Sequence, residues 1–281
     1  MSGVDRAMLE ITDLRVTYPT AEGRAEVVHG IDLRVERGAR VALVGESGSG
    51  KSVTARSILQ LDQDAGYSGS IALDGEELIG AGHRTLRSVR GSKVGLVFQD
   101  PLTSLNPVMR IGWQIMQPLV IRGVPKREAR ERGIELLERL GVRDAARRFD
   151  DYPHEFSGGM RQRVVIAIAV IAEPELLIAD EPTTALDVRV QTQVLELLRS
   201  LADERGMSIL LITHDLGIVA GFAEEVVVMR HGSVVERNRV DELFARPSHP
   251  YTRGLLGAVP RIDGDPDRRL LSVDDFNEEV A

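Results

Sequence analysis

The sequence contains no cysteine, which restricts the chemistry open to the chain. Without cysteine there can be no disulfide bond, no thiolate metal site and no iron–sulfur cluster, and the absence fits a reducing compartment. The longest apolar run, Val164 to Ala172, is far shorter than the roughly 20 residues that a membrane-spanning helix needs. Residues Met1 to Glu10 also lack the apolar centre of a signal peptide, so we expect neither a membrane-spanning segment nor secretion.

Basic residues are in the minority. The chain has 35 Lys and Arg against 43 Asp and Glu, a formal net charge of −8. Nonspecific nucleic-acid binding needs a basic surface, so we predict no nucleic-acid partner. At 281 residues, 43% of them hydrophobic, the chain is long enough to bury a substantial core, and we expect a globular protein.

A glycine-rich stretch fits the pattern of a phosphate-binding loop, or P-loop: Gly45-Glu46-Ser47-Gly48-Ser49-Gly50-Lys51-Ser52. Its glycines let consecutive backbone N–H groups turn toward phosphates, Lys51 can reach the β and γ oxygens, and Ser52 can ligate Mg²⁺. An apolar run at Arg40 to Val44 predicts a buried strand before the loop, and Val53 to Leu59 predicts a helix after it. This order would place the phosphates of a nucleoside triphosphate at a helix N-terminus.

The N-terminal region has the pattern of paired strands. Leu9 to Val16 and Gly30 to Val35 are predicted strands with a turn at Val27 to Gly30, which indicates an antiparallel sheet ahead of the P-loop. Tyr18 follows the first strand. It could offer an aromatic face for adenine, or it could be a half-buried tyrosine at a strand end.

Gln99 follows another predicted strand, Val94 to Phe98. A glutamine at a strand end beside a nucleotide can ligate Mg²⁺ or hold the attacking water; without that context it lies in a solvated turn. Pro101 and Pro107 then prevent a simple continuation of strand or helix.

The composition from Ile111 to Ala172 is typical of helices. Near the end of this region, Ser157, Gly158 and Gly159 precede an apolar helical run. Ser157 can cap that helix, and two glycines at its start permit the close approach of an anion. The alternative is an ordinary helix cap preceded by a flexible segment.

Two adjacent carboxylates, Asp180 and Glu181, end the predicted strand that begins at Glu175. Because side chains alternate faces along a strand, one carboxylate can hold Mg²⁺ while the other polarises a water for in-line attack. The alternative is a solvated pair before a turn. Asp187 is placed to cap a helix predicted from about Val188 to Glu204.

His214 comes directly after a predicted apolar strand, Ser208 to Thr213. The carboxyl end of a strand in a parallel sheet is where such folds bind ligands, so His214 could contact a γ-phosphate, or it could be a satisfied turn residue. Further along, Val226 to Met229 and Val234 to Glu236 predict a hairpin.

In this order, the motifs resemble the nucleotide-binding subunit of an ABC transporter over roughly residues 8–260. The resemblance implies an α/β fold in which a P-loop NTPase core of the RecA type carries an N-terminal antiparallel β-subdomain and an inserted helical subdomain at about 100–172. Residues 261–281 are acidic, and from this composition we expect a poorly ordered tail. Met160 departs from the commonest family form, which has glutamine there.

The resemblance also implies a role for each motif. Glu181 would activate water, His214 would order the γ-phosphate, and Gln99 would sense Mg²⁺ and the permease. The Mg²⁺ ligands would be Ser52, Gln99 and Asp180. The nucleotide-binding residues would be Tyr18, which stacks on adenine, with Gly45, Glu46, Ser47, Gly48, Ser49, Gly50, Lys51, Ser52 and Val53. The residues completing the ATP site of a partner subunit would be Ser157, Gly158, Gly159 and Asp187.

Within the family, Gln99 to Pro107 and His249 to Leu256 look like the dipeptide/oligopeptide importer subgroup, which also includes nickel and glutathione importers. The implied ligands are ATP and Mg²⁺. The implied partners are two transmembrane permease subunits, a second ATPase subunit that is either identical or homologous, and an extracytoplasmic solute-binding protein. The subunit would be peripheral, on the cytoplasmic face of the cell membrane. Subunits of this type often end in a cysteine-bearing iron–sulfur segment, but the chain from Pro260 onward is acidic and cysteine-free, so we expect no cluster.

Two other interpretations fit some of these motifs. A soluble ABC-type protein associated with a carbon–phosphorus lyase complex would use the same ATP site without a permease. A non-catalytic module would use the nucleotide only to set its conformation, and the intact Asp180, Glu181 and His214 argue against it.

Overall fold

The computed structural model describes residues 6–183 and 186–258. These residues form two compact units. The first unit contains residues 6–80 and 210–258, and the second contains 81–183 and 186–209. The tail predicted at 261–281 lies outside the described residues.

The first unit is rich in strands. Its strands are β1 (Leu9–Thr20), β2 (Gly23–Val35), β3 (Arg40–Val44), β4 (Gly66–Leu73), β5 (Glu76–Glu77), β8 (Ser208–Thr213), which begins in the second unit, β9 (Glu225–Arg230) and β10 (Ser233–Arg239). Its helices are α1 (Lys51–Ile58), α9 (Leu216–Phe222), α10 (Val240–Ala245) and α11 (Pro250–Gly257).

An antiparallel sheet with the order β2-β1-β4-β5 opens the first unit, as the sequence predicts. The predicted turn at Val27 to Gly30 is wrong, because β2 runs through these residues and the turn lies earlier, at 21–22. Gly30, with φ +71°, falls between the pairs Leu14↔Ile31 and Arg15↔His29. It is therefore the extra residue of a β-bulge. A glycine inside a strand pattern can indicate such a bulge as well as a turn.

The remaining strands of the first unit lie in the order β10-β9-β3-β8. β3 pairs with β9 in parallel, and β9 and β10 form the predicted hairpin. Side chains of β3, β9, α9, α10 and α11 share one buried core that includes Ala42, Val44, Val228, Leu243 and Tyr251. The P-loop follows β3 and His214 follows β8, so both leave the carboxyl ends of neighbouring strands.

The second unit is mainly helical. Its helices are α2 (His83–Val89), α3 (Pro101–Ser104), α4 (Ile111–Ile121), α5 (Lys126–Arg139), α6 (Ala145–Arg148), a 3₁₀ turn at Pro153–Glu155, α7 (Gly158–Val170) and α8 (Val188–Arg205). Its strands β6 (Val94–Val97) and β7 (Leu176–Asp180) pair in parallel, with Val94 opposite Leu176. In the described ranges, no helix combines the length and the apolarity that crossing a bilayer requires.

Two glycines let α4 and α5 approach the buried ring of Phe149. A Cβ on Gly112 would lie 2.0 Å from Phe149 Cδ1, and one on Gly133 would lie 2.8 Å from Phe149 Cζ. Gly112 N–H also donates to Phe149 C=O at 2.7 Å. Close packing around this ring fixes the helices that precede Ser157 in the chain.

Proline placement explains one difference from the sequence prediction. β6 ends at Val97, and a short helix, α3, begins at Pro101 rather than a plain turn. Proline is accepted at the first position of a helix because the N–H it lacks would have no partner within the helix there.

Candidate functional site

The P-loop spans Gly45 to Gly50 between β3 and α1, and its backbone needs glycine at several positions. Gly48 and Gly50 have φ values of +82° and +101°, in the left-handed region. A Cβ on Gly45 would lie only 2.2 Å from the carbonyl oxygen of Met229. These glycines permit a loop that packs against β9 on one side and exposes residues 46–48 on the other.

Lys51 is buried within this loop. Its ammonium group donates to the carbonyl oxygens of Gly45 at 2.7 Å and Glu46 at 2.8 Å. A buried ammonium requires such partners. These two bonds position the positive charge beside the exposed part of the loop.

Helix α1 begins at Lys51 without a side-chain cap. Gly50 is its N-cap residue, and its first turn holds no acidic side chain. The first N–H groups of a helix, together with its dipole, favour an anion when no side chain caps them. Ser52 and Val53 are half-buried in this first turn. The glycine loop, the buried ammonium and the uncapped helix therefore fit a polyphosphate.

Tyr18 is half-buried near the end of β1, and its hydroxyl donates to Asp62. Asp62 also pairs with Arg56 of α1 at 3.0 Å. Burial raises the pKa of the Tyr18 phenol above its ordinary value, and the hydrogen bond with Asp62 adds to this shift. The hydroxyl is thus used within the chain, and adenine stacking on the Tyr18 ring stays a prediction.

His214 is exposed directly after β8. The next residue, Asp215, caps α9 by accepting from Gly217 N–H at 2.8 Å. Its own N–H donates to the Thr213 hydroxyl at 3.0 Å. This tight turn fixes the backbone at the end of β8, and the contact of His214 with a γ-phosphate stays a prediction.

In the second unit, the structure brings Gln99 and Glu181 together. The Gln99 side-chain amide donates to Glu181 Oε2 at 2.9 Å, although the two residues are 82 positions apart. Asp180 is buried at the end of β7. Glu181 follows with φ +47°, a left-handed conformation that non-glycine residues adopt at a cost and that clusters at functional sites.

Ser157 caps α7, as predicted, by accepting from Met160 N–H at 3.4 Å. Within the described residues, a Cβ on Gly158 would meet no atom within 4 Å. A Cβ on Gly159 would lie 3.3 Å from Leu186 Cδ2. The start of α7 therefore packs against the segment before α8 through Gly159 and presents Gly158 to open space.

Asp187 caps α8, accepting from Val190 N–H at 2.9 Å. Because Gly159 packs beside Leu186, the structure gathers Asp187 with the Ser157 to Gly159 stretch in the second unit. Nearby, burial lowers the pKa of the Arg163 guanidinium, and the Asp187 carboxylate opposes that shift. Arg163 ties α7 to α8 through a 3.2 Å hydrogen bond to Gln193.

The predicted site residues thus fall into two sets. Tyr18, the P-loop and His214 belong to the first unit, and the second unit holds the other set, which comprises Gln99, Ser157, Gly158, Gly159, Asp180, Glu181 and Asp187. In the described ranges, no group of three or more His, Cys, Asp and Glu side chains is placed to hold a metal ion. The predicted Mg²⁺ ligands are instead a hydroxyl, an amide and one carboxylate, oxygen donors of the type that Mg²⁺ accepts alongside phosphate oxygens.

Tyr251 is a further residue of the site, without a role predicted from the sequence. Its hydroxyl accepts a hydrogen bond from the Glu46 N–H of the P-loop at 3.0 Å. The only sequence signal was its place in the His249 to Leu256 stretch, which indicates a subgroup rather than a contact.

Two families match the chain: one described as "ABC transporter", at residues 28–184, and one described as "Oligopeptide/dipeptide transporter, C-terminal region", at residues 235–275. The oligopeptide transport ATP-binding protein OppD of Bacillus subtilis (strain 168) is 46% identical over 270 residues, 95% of this chain and 75% of that protein. The dipeptide transport ATP-binding protein DppD of Lactococcus lactis subsp. cremoris (strain MG1363) is 44% identical over 273 residues, 96% and 78% of the two chains. Among solved structures, the dimeric ATP-binding cassette MJ0796, in a post-hydrolysis state bound to ADP and Pi, matches with a TM-score of 0.76 and 28% identity over 83% of this chain and 99% of that chain.

Proposed function

This chain belongs to the ABC transporter family, and we propose that it is the ATP-binding and ATP-hydrolysing subunit of an importer for dipeptides or oligopeptides. The predicted family and the predicted fold class are confirmed. The peptide assignment is supported by the match to the oligopeptide/dipeptide C-terminal region and by relatives whose names specify oligopeptide and dipeptide transport. Residues 8–260 are proposed as the ATPase domain, with the helical subdomain at about 100–172.

One observation carries the ATP-binding part of the proposal. The buried Lys51 ammonium lies inside a glycine loop that leads into a helix with no side-chain cap. Such a loop offers backbone N–H groups and one positive charge to a triphosphate. When bound, Mg²⁺ would be held by Ser52, Gln99 and Asp180 and would neutralise charge on the phosphate oxygens.

Hydrolysis needs a base for the attacking water. We assign this role to Glu181, which takes a proton as the water oxygen bonds to the γ-phosphorus and the bond to the β-phosphate oxygen breaks, giving ADP and phosphate. The Gln99 amide fixes one Glu181 oxygen, which orients the carboxylate. His214 is proposed to order the γ-phosphate and Tyr18 to stack on adenine.

The Ser157 to Gly159 stretch is proposed to complete the ATP site of a second ATPase subunit, together with Asp187. Gly158 supports this proposal, since a Cβ at this position would meet no atom of the described residues within 4 Å. A site shared in this way makes ATP the link between two subunits. ATP binding would close the pair, and hydrolysis would reopen it.

The further proposed partners are two transmembrane permease subunits and an extracytoplasmic solute-binding protein. The chain would bind the permeases at the cytoplasmic face of the membrane, and the segment after Gln99 would transmit closure to them. These assignments follow from the family and from the predicted peptide specificity.

Co-isolation tests the proposal directly. The Glu181→Gln chain is trapped with ATP in its native host, extracted in mild detergent, and its companions are identified by mass spectrometry; a Lys51→Ala chain is the matched control that should not be trapped. Two multi-spanning permeases and an ATPase subunit are expected with Glu181→Gln. Soluble phosphonate-processing proteins without a membrane partner would instead support the carbon–phosphorus lyase alternative and contradict the importer.

A further inference from the structure

The side chain of Tyr251 joins the C-terminal segment of the first unit to the P-loop. It is 1% exposed and belongs to the core shared by β3, β9, α9, α10 and α11. Its hydroxyl accepts the Glu46 N–H at 3.0 Å. A buried aromatic ring with one polar atom at its tip is a rigid support for the group that this atom contacts.

The Glu46 peptide connects this support to Lys51. Its carbonyl oxygen accepts the Lys51 ammonium at 2.8 Å, and it also accepts the Ser49 N–H at 3.2 Å. One residue of the P-loop backbone is thus bonded on one side to α11 and on the other to the phosphate-binding lysine. A shift of Glu46 would move one of the carbonyl partners that position the ammonium.

The support is itself fixed from several directions. The Arg230 guanidinium lies over the Tyr251 ring at 4.9 Å from the centroid, and His249 Nδ1 accepts the Tyr251 N–H at 3.1 Å. The Glu236 carboxylate accepts the N–H groups of Ser248 at 2.8 Å and His249 at 3.0 Å. Burial opposes ionisation of Glu236, but hydrogen bonds to the carboxylate, these two among them, outweigh burial and lower the pKa of Glu236.

A second contact holds the other half of the P-loop. Gly232, in the turn between β9 and β10, donates its N–H to Ser49 C=O at 3.0 Å and accepts His29 N–H at 2.8 Å. The P-loop is therefore held at Glu46 by Tyr251 and at Ser49 by the turn. Only the first of these contacts uses a side-chain atom, so it can be removed by one substitution.

We propose that Tyr251 is a positioning residue for the P-loop, so that the segment from Ser248 to Thr252 sets the affinity of the chain for ATP. The proposal rests on the proposed function, because it concerns the same ATP site. It gives the C-terminal segment a role in nucleotide binding that does not require contact with the nucleotide. Tyr251 acts through the Glu46 backbone and Lys51.

Tyr251→Phe is the decisive variant, because it keeps the ring in the core and removes only the hydroxyl. The affinity for ATP, measured by equilibrium binding to the full chain, is expected to fall about three- to tenfold, the range for loss of one hydrogen bond. In steady-state turnover the change should appear in KM for ATP, with kcat changed much less, and the midpoint of thermal unfolding should shift little.

Tyr152→Phe is the matched control, since it makes the same change on a half-buried ring of the second unit and should leave ATP affinity unchanged. Lys51→Ala provides the reference for lost binding. If the unchanged chain binds ATP and Tyr251→Phe binds it equally well, the positioning role is refuted and the proposed function stands. If the unchanged chain fails to bind ATP, the proposed function itself is refuted. Equal loss of affinity in Tyr251→Phe and Tyr152→Phe would also refute the positioning role, because the loss would then not depend on the hydrogen bond to Glu46.

Discussion

Glu181 combines two features that a solvated residue at a strand end does not need. Its backbone has φ +47°, and its carboxylate is held by Gln99 at 2.9 Å. A left-handed glutamate costs stability, so the surrounding structure must hold it. Together, the backbone conformation and the hydrogen bond fix the direction of the carboxylate, so that it does not follow the alternation of side chains along β7. A fixed direction suits a carboxylate that must contact one water.

We expect Glu181→Gln to bind ATP normally and to hydrolyse it more slowly by about 10²-fold or more, because the amide cannot accept the proton. Phosphate release and equilibrium ATP binding measure the two effects. Glu131→Gln, on the exposed face of α5 in the same unit, is the control and should leave both unchanged. A turnover rate in Glu181→Gln equal to that of the unchanged chain would remove Glu181 from the role of base.

At this scale, the sequence predicts residue types better than contacts. The caps Ser157 and Asp187 could be predicted, since a helix cap depends on local sequence alone. The Gln99–Glu181 hydrogen bond could not, because it joins positions 82 apart and depends on how β6 and β7 pair. The positive φ of Glu181 has no sequence signal.

Among the helices and strands, the bounds of some strands could be predicted closely from the sequence. β3 and β8 have the predicted bounds because the apolar run of β3 ends before Gly45 and that of β8 ends before His214. β2 differed because one glycine pattern fits both a turn and a bulge, and only the pairing of Arg15 with His29 distinguishes them. Helix α3 was missed since four residues are too few for a periodic pattern.

The packing of α4 predicts a stability effect. Gly112→Ala should lower the free energy of unfolding by about 1–3 kcal/mol, because the added methyl would overlap the buried Phe149 ring. Denaturant unfolding measures it. The control is Gly221→Ala in α9, where the new Cβ would meet no described atom within 4 Å, so the change should be neutral or slightly stabilising. Equal stability of the two variants would contradict the packing described for α4.

At the scale of the whole molecule, composition could exclude classes but could not supply partners. The absence of cysteine excludes disulfide bonds and thiolate metal sites, and the charge of −8 argues against nonspecific nucleic-acid binding. The order of the motifs indicates the family. The transported solute could not be predicted from these residues, because binding a peptide would be the task of other subunits. The assignment to peptide transport rests instead on the names of the relatives and on the family match at residues 235–275.

Complementation tests the shared ATP site. Gly158→Glu should preserve folding, because a Cβ there would meet no described atom within 4 Å and a first-turn glutamate favours the helix dipole, yet it should repel a triphosphate held by the partner. Lys51→Ala and Gly158→Glu chains should each be inactive, and a mixture of purified chains should regain part of the ATP turnover, since one site of the mixed dimer is intact. If mixed dimers form without regaining turnover, the site is not shared.

The contacts of Glu46 with Tyr251 and Lys51 would be difficult to detect by substituting Glu46. The bonds to Tyr251 and to Lys51 both use backbone atoms of Glu46: its N–H donates to Tyr251, and its C=O accepts from Lys51. Every residue except proline supplies the same two atoms, so a mutational scan at position 46 would score the site as tolerant. Of the two residues, only Tyr251 would show a loss of ATP affinity when substituted. The scan would therefore assign to Tyr251 an effect that depends on both Tyr251 and Glu46.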